Sequence, residues 1–156
     1  IEKVSNKALS NRAISRIKLP RPMMETNDFN FSFSGLKTAV LRVVKEEKFE
    51  KVGLAFEFQE AVTDVLVTKT LKAAQKFQAR AVLLSGGVAA NQNLRQKLSV
   101  QIKKYTDAQI FVPPISLCTD NAAMIAAAAI YHFFLEKGVR NWYDVRADAN
   151  MRLKNS

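Results

Sequence analysis

The sequence predicts an α/β fold, and three observations carry that reading. Ala81-Val82-Leu83-Leu84 is a short continuous apolar run, as expected of a strand buried on both faces. Ile110-Phe111-Val112 is a second short strand, and each run is followed by turn residues and then a long helical pattern. The second half of the chain thus reads strand, Gly-Gly, helix, strand, Pro-Pro, helix, with sites expected at the carboxyl ends of the strands.

Taken in order, residues 1–19 hold one helix-like stretch, with Val4, Ala8, Leu9, Ala13, Ile14 and Ile17 as its apolar positions. Pro20-Arg21-Pro22 breaks any helix there. Phe29, Phe31 and Phe33 alternate with polar residues, which predicts a strand ended by Ser34-Gly35. Thr38 to Lys48 reads as a helix. A longer one spans about Leu54 to Ala79, with Phe58, Val62, Leu66, Ala73 and Phe77 along one face. After Leu84 a helix is expected from about Ala90 to Lys104. The last helix runs from Thr119 to Glu136, apolar almost all round and therefore expected to be buried, and Gly138 ends it. About three strands are visible. That is few for so much helix, so the chain is expected to be part of a larger protein.

The composition is that of an ordinary globular domain: 48% hydrophobic and 24% charged residues exclude disorder and low-complexity classes. The lone Cys118 cannot form an internal disulfide and fits a reducing cytoplasm. No run reaches the ~18 apolar residues that span a bilayer, so no membrane is expected. The net charge is +10, and it is uneven. Residues 1–24 carry six basic and one acidic side chain, residues 137–156 five and two, and the middle is nearly balanced. Basic ends of this kind attract polyanions, nucleic acid first among them.

Three stretches have the residue types that chemistry requires. Ser85-Gly86-Gly87-Val88-Ala89-Ala90-Asn91 follows a strand and opens a helix. Gly86 and Gly87 leave the backbone open to close approach, the helix start offers free N–H groups, and Asn91 suits ribose hydroxyls or base edges. The plainer alternative makes Asn91 a local helix cap. In Leu117-Cys118-Thr119-Asp120-Asn121, Asp120 sits where the last helix is expected to start. A carboxylate there can ligate a metal; the plainer alternative is that Thr119 or Asp120 caps the helix, and the two roles are compatible. In Phe31-Ser32-Phe33-Ser34-Gly35-Leu36-Lys37-Thr38, Ser34 and Lys37 could meet a phosphate or RNA backbone, unless Ser34 caps the next helix. His132 has no second histidine, and Cys118 has no partner, so both read as structural. Asn141-Trp142-Tyr143-Asp144 reads as an anchor for the tail rather than a base-stacking platform.

Together, Asp28 to Val40, Ser85 to Asn91 and Cys118-Thr119-Asp120-Asn121-Ala122-Ala123-Met124-Ile125-Ala126 resemble the TsaD family of tRNA N6-adenosine threonylcarbamoyltransferases, formerly described as O-sialoglycoprotein endopeptidases. The likeness runs from Ile1-Glu2-Lys3 to the tail at Asn150-Met151. It implies an actin-like, two-lobed ATPase fold of the RNase H-like kind, shared with hexokinase and heat-shock chaperones. It also implies transfer of a threonylcarbamoyl group from threonylcarbamoyl-AMP to N6 of the adenosine 3′ to the anticodon. By the resemblance Gly86, Gly87 and Asn91 contact the adenylate. Asp120 binds one divalent metal, usually iron and sometimes zinc. The implied partners are tRNA and TsaB-like and TsaE-like proteins, in the cytoplasm. The family's His-x-x-x-His pair has no counterpart here, since the chain has one histidine. Residues 1–156 are therefore expected to be a single partial unit, the C-terminal lobe without its N-terminal half, and inactive alone. The alternative is a non-catalytic RNA- or nucleotide-binding fragment of the same fold.

Overall fold

The computed structural model describes residues 17–46, 49–135, 141 and 143. The described residues up to Thr119 form one compact unit, and those from Asp120 onward form a second. The first unit contains α1 (Ser34–Lys45), α2 (Lys51–Lys76), β1 (Ala81–Leu83), a 3₁₀ turn (Gly87–Ala90), α3 (Gln92–Tyr105), β2 (Gln109–Phe111) and a second 3₁₀ turn (Ile115–Leu117). The second contains α4 (Ala122–Phe134). The predicted α/β class holds, as a mixed fold around a small parallel sheet. The helix-like pattern of residues 1–16, the tail residues Trp142 and Asp144, and most of the basic ends lie outside the described residues. Asn141 and Tyr143 are exposed, and the Tyr143 N–H donates to Asn141 Oδ1 at 3.2 Å.

The expected strand at Phe29 to Phe33 is absent. Local polar chemistry turns the backbone instead. Asp28 Oδ1 accepts from the Asn30 N–H at 2.9 Å and from Thr26 Oγ1 at 3.1 Å, an Asx-type turn that competes with a ladder. Lys69, buried on α2, grips the same turn through the carbonyls of Thr26 and Asp28, at 3.2 and 2.7 Å. Phe29 then meets Phe77, while Phe33 joins the core. Nor does Ser34 cap α1. It is the first helical residue, after Phe33, and its hydroxyl pairs with that of Ser32 at 3.0 Å.

Helix α2 organises the first unit because it has partners along two sides. Toward its N-terminus, Leu54 and Ala61 pack with Leu19 and Leu36, with Phe58 and Val62 at the margin. Toward its C-terminus, Val67 and Ala74 pack with Leu94, Leu98 and Ile102 of α3, and Val82 and Ile110 of the strands lie against them. Burying each such Leu or Ile stabilises the fold by about 1.5–3 kcal/mol. Two partners explain why one predicted stripe was insufficient: Leu54, Ala61, Val65 and Val67 are the deeply buried positions, and Phe77 is 66% exposed.

The sheet has two strands, not three, among the described residues. They pair in parallel, Ala81 with Gln109, Val82 with Ile110 and Leu83 with Phe111. Among the described residues, helices cover one face only. Val82 and Ile110 point inward, and Leu83 on the other face is 73% exposed, so the expectation of a strand buried on both faces fails. The last helix is likewise corrected. No described residue of α4 is buried, and Ile125, Ile130, Phe133 and Phe134 are exposed. His132 lies exposed on it, beside Tyr131. Among the described residues no helix is long and apolar enough to cross a membrane.

Candidate functional site

Parallel strands put both of their carboxyl ends on one edge, and the Gly-Gly turn forms there. Pairing continues one step past β1, where the Leu84 N–H donates to the Phe111 carbonyl at 3.0 Å. The chain then reverses at Gly86, whose φ of 82° is a left-handed conformation that an L side chain strains to adopt. Its carbonyl accepts from the Ala89 N–H at 2.9 Å and closes the 3₁₀ turn. Gly87 differs. Its φ is not positive, and a Cβ built on it would meet nothing within 4 Å. Neither strain nor crowding within the chain asks for glycine there. The space beside it is open, so a ligand can approach the backbone.

Asn91 starts α3. Its Oδ1 accepts from the Leu94 N–H at 2.9 Å, so it is the helix cap. Its Nδ2 donates to Oε1 of Gln59 on α2 at 3.0 Å, and Gln59 is 4% exposed. One amide therefore fixes both the start of α3 and its seat against α2. The second N–H and the second lone pair of that amide are still available to a ligand.

Arg95, which the sequence reading did not single out, holds this turn in place. Arg95 Nε donates to the Ala89 carbonyl, and its Nη2 donates to Cys118 Sγ at 2.9 Å. The guanidinium thereby ties the segment after β1 to the segment after β2. Cys118 is buried, as expected of a structural thiol, and its Sγ donates to the Pro114 carbonyl at 3.4 Å. On the opposite face of α3, Lys97 bonds Glu60 at 2.8 Å and Asp64 at 2.7 Å. Burial pulls the Lys97 pKa down, but the two carboxylates outweigh it and leave the pKa raised. Arg21 shares Asp64 at 3.0 Å and also bonds Glu57, the pair that does most to raise its pKa against burial. The legible signal for Arg95 was its spacing, four residues after Asn91 and so on the same helical face. The signal for Gln59 was faint, a single amide between Phe58 and Glu60 of the long helix.

Ser34 and Lys37 lie elsewhere. They edge a hollow of about 480 Å³ whose other lining residues are Phe33, Val40, Leu41 and Phe58. That hollow shares no lining residue with the Gly-Gly turn, and Ser34 and Lys37 are its polar members.

Asp120 belongs to the second unit, where it is exposed. The expected cap at Thr119 or Asp120 is corrected to Asn121, whose Oδ1 accepts from the Met124 N–H at 3.0 Å. An amide with φ −152° and ψ 149° fits the extended cap position, which moves the helix start beyond Asp120. Among the described residues no three His, Cys, Asp or Glu side chains gather into a metal-holding group. The donors present do not by themselves fit an iron or zinc ion.

The comparison with known families decides the relationship. Residues 1–127 match the TsaD family model, described as tRNA N6-adenosine threonylcarbamoyltransferase. The chain belongs to the TsaD family. Among curated relatives bearing that same description, the Bacillus subtilis (strain 168) protein is 43% identical over 150 residues, which covers 93% of this chain and 43% of the relative. The Geobacillus thermodenitrificans (strain NG80-2) protein is 50% identical over 117 residues, 72% of this chain and 34% of the relative. The Persephonella marina protein is 42% identical over 148 residues, 93% of this chain and 42% of the relative. This TsaD-family chain thus spans less than half the length of the curated relatives it matches. The matched region contains all three motif stretches on which the resemblance was drawn, Asp28 to Val40, Ser85 to Asn91 and Cys118 to Ala126.

Proposed function

We propose that this chain supplies the adenylate-binding part of a tRNA N6-adenosine threonylcarbamoyltransferase, within an actin-like fold of which it forms the C-terminal lobe. The observation that carries the reading is Gly87: the chain's own geometry has no need of glycine there, and the turn opens outward at the carboxyl ends of the strands. Backbone N–H groups of the turn and the amide of Asn91 hold the adenylate moiety of threonylcarbamoyl-AMP. The reaction is acyl transfer to nitrogen. N6 of the tRNA adenine attacks the threonylcarbamoyl carbonyl, the new N–C bond forms, the C–O bond to the phosphate breaks, and AMP leaves. N6 gives up a proton in the process. The turn's role is to hold and orient the leaving nucleotide. Asp120 offers one hard oxygen donor to a divalent metal, and the remaining donors come from outside the described residues. TsaB-like and TsaE-like partners and a cytoplasmic setting belong to the same reading.

Gly87→Ala is the test, because it separates ligand from fold. Thermal unfolding should shift by no more than about 0.5 kcal/mol, as for a surface substitution with room for the methyl. AMP binding, read by calorimetry, should weaken at least tenfold. Unchanged AMP affinity in a folded Gly87→Ala protein would overturn the assignment.

A further inference from the structure

The two ends of the sheet are chemically different. The Gly-Gly turn occupies the carboxyl edge. At the amino edge, α2 and α3 finish side by side, since they run in the same direction: Gln59 meets Asn91, Asp64 meets Lys97, and Gln75 Nε2 donates to the Tyr105 carbonyl at 3.3 Å. Exposed aromatics and lysines gather at this edge. Lys76 Nζ stands 5.1 Å from the Phe29 ring centroid and 5.9 Å from that of Phe77, and Lys104 Nζ stands 4.9 Å from that of Tyr105. Phe77 is 66% exposed and Tyr105 48%. Lys103 is exposed beside them, and Asp107 is the nearby acid in sequence.

Cations in the last turn of a helix are favoured by its dipole, which accounts for Lys76, Lys103 and Lys104 as charges. The dipole does not account for two large rings left in solvent under those cations. Exposed rings with ammonium groups beside them are the elements of a single-stranded nucleic-acid platform: bases stack on the rings, and the ammonium groups meet phosphates. The charge of the whole chain, +10, has the matching sign.

We propose that this edge, with Phe77 and Tyr105 as stacking surfaces and Lys76, Lys103 and Lys104 as phosphate contacts, is an RNA-binding surface, distinct from the adenylate turn. The choice of RNA as occupant rests on the tRNA-modifying reading above. Helix α3 has 14 residues, so the two edges are about 20 Å apart at 1.5 Å per residue. That distance lets one folded RNA reach both, with its reacting adenosine at one edge and an unpaired segment at the other.

The experiment uses the full chain with two probes, an unmodified tRNA transcript and an oligouridine, in a salt titration followed by fluorescence anisotropy. Lys76→Ala/Lys103→Ala/Lys104→Ala should flatten the log–log salt slope by about 2, the loss of three contacts to a single strand. Phe77→Ala should weaken oligouridine binding roughly tenfold at fixed salt, and Phe77→Trp should restore it. Circular dichroism and AMP affinity should be unchanged in all of these variants, since none touches the Gly-Gly turn. RNA affinity and salt slope unchanged in folded variants would overturn the proposal and mark the edge as a protein contact. That outcome would leave the adenylate reading standing, because AMP binding tests it separately. Loss of AMP binding by Gly87→Ala with intact RNA binding is the expected converse.

Discussion

Asn91 and Asn121 do the same local job in two different surroundings. Each starts a helix by accepting the N–H three residues on, at 2.9 Å for Leu94 and 3.0 Å for Met124. The helices that follow have opposite fates. α3, with its mixed composition, buries Leu94, Leu98 and Ile102, and α4, apolar almost throughout, buries nothing among the described residues. The cap sets where a helix begins. Burial is set by what lies across from it, and hydrophobicity along one segment does not supply a partner.

The largest expected effect breaks this comparison if it fails. Ile102→Ala removes a fully buried side chain from the α2–α3 core and should cost about 2–5 kcal/mol. Ile130→Ala on α4, where the side chain is 57% exposed, should stay within about 0.5 kcal/mol. Urea unfolding of the two variants measures both. A cost at Ile130 comparable to that at Ile102 would mean that the α4 face is covered in solution and that the contrast is wrong.

A smaller effect sharpens it. Asn121→Ala should lose the cap bond to the Met124 N–H, about 1 kcal/mol. Asn91→Ala should cost about 2 kcal/mol, the cap plus the bond to buried Gln59. Asn91→Asp keeps the acceptor and loses the Nδ2 donor, so it isolates the second contribution. An Asn91→Asp protein as stable as the parent, by thermal unfolding, would show that the Gln59 bond adds nothing.

The same contrast explains what could be read from the sequence. Helix starts and strand positions depend on local signals, and those were legible: β1, β2, both long helices of the first unit and the cap at Asn91 fall within a few residues of expectation. The Gly-Gly turn was legible for the same reason, because Gly86 answers a backbone need visible in the residue type. Failures came where a distant partner decides. Phe29, Phe31 and Phe33 have strand spacing, yet Lys69, some forty residues on, anchors the preceding turn and Phe29 leaves for Phe77. The single stripe drawn on α2 missed that α1 and α3 cover different sides of it. Asp120 was placed one position too close to its helix because three polar residues in a row, Thr119, Asp120 and Asn121, can each cap, and only the backbone angles choose among them. Arg95 could not be assigned its bond to Cys118 without knowing that the two strands end together.

The smallest expected effect concerns Asp28, which repeats the theme in a charged group: two local bonds, to Asn30 and Thr26, and one distant bond, to Lys69 at 3.2 Å. The Lys69 ammonium does most to hold the Asp28 carboxyl below its ordinary value of 3.8, against the opposing effect of desolvation. A carboxyl lowered in the folded state binds its proton more weakly there than in the unfolded chain. Its contribution to stability is therefore complete above pH 3.8 and is lost as pH falls through the folded value below that. Asp28→Asn should be less stable than the parent near neutrality, with the gap closing as pH drops below 3.8, because protonation makes the parent resemble the variant. Urea midpoints across an acid series check this, and a Lys69→Met background separates the distant bond from the local ones. If that background removes most of the pH-dependent gap, the ammonium is its source. A gap that is constant with pH would show that Asp28 holds the turn through shape alone and that its charge is irrelevant to the fold.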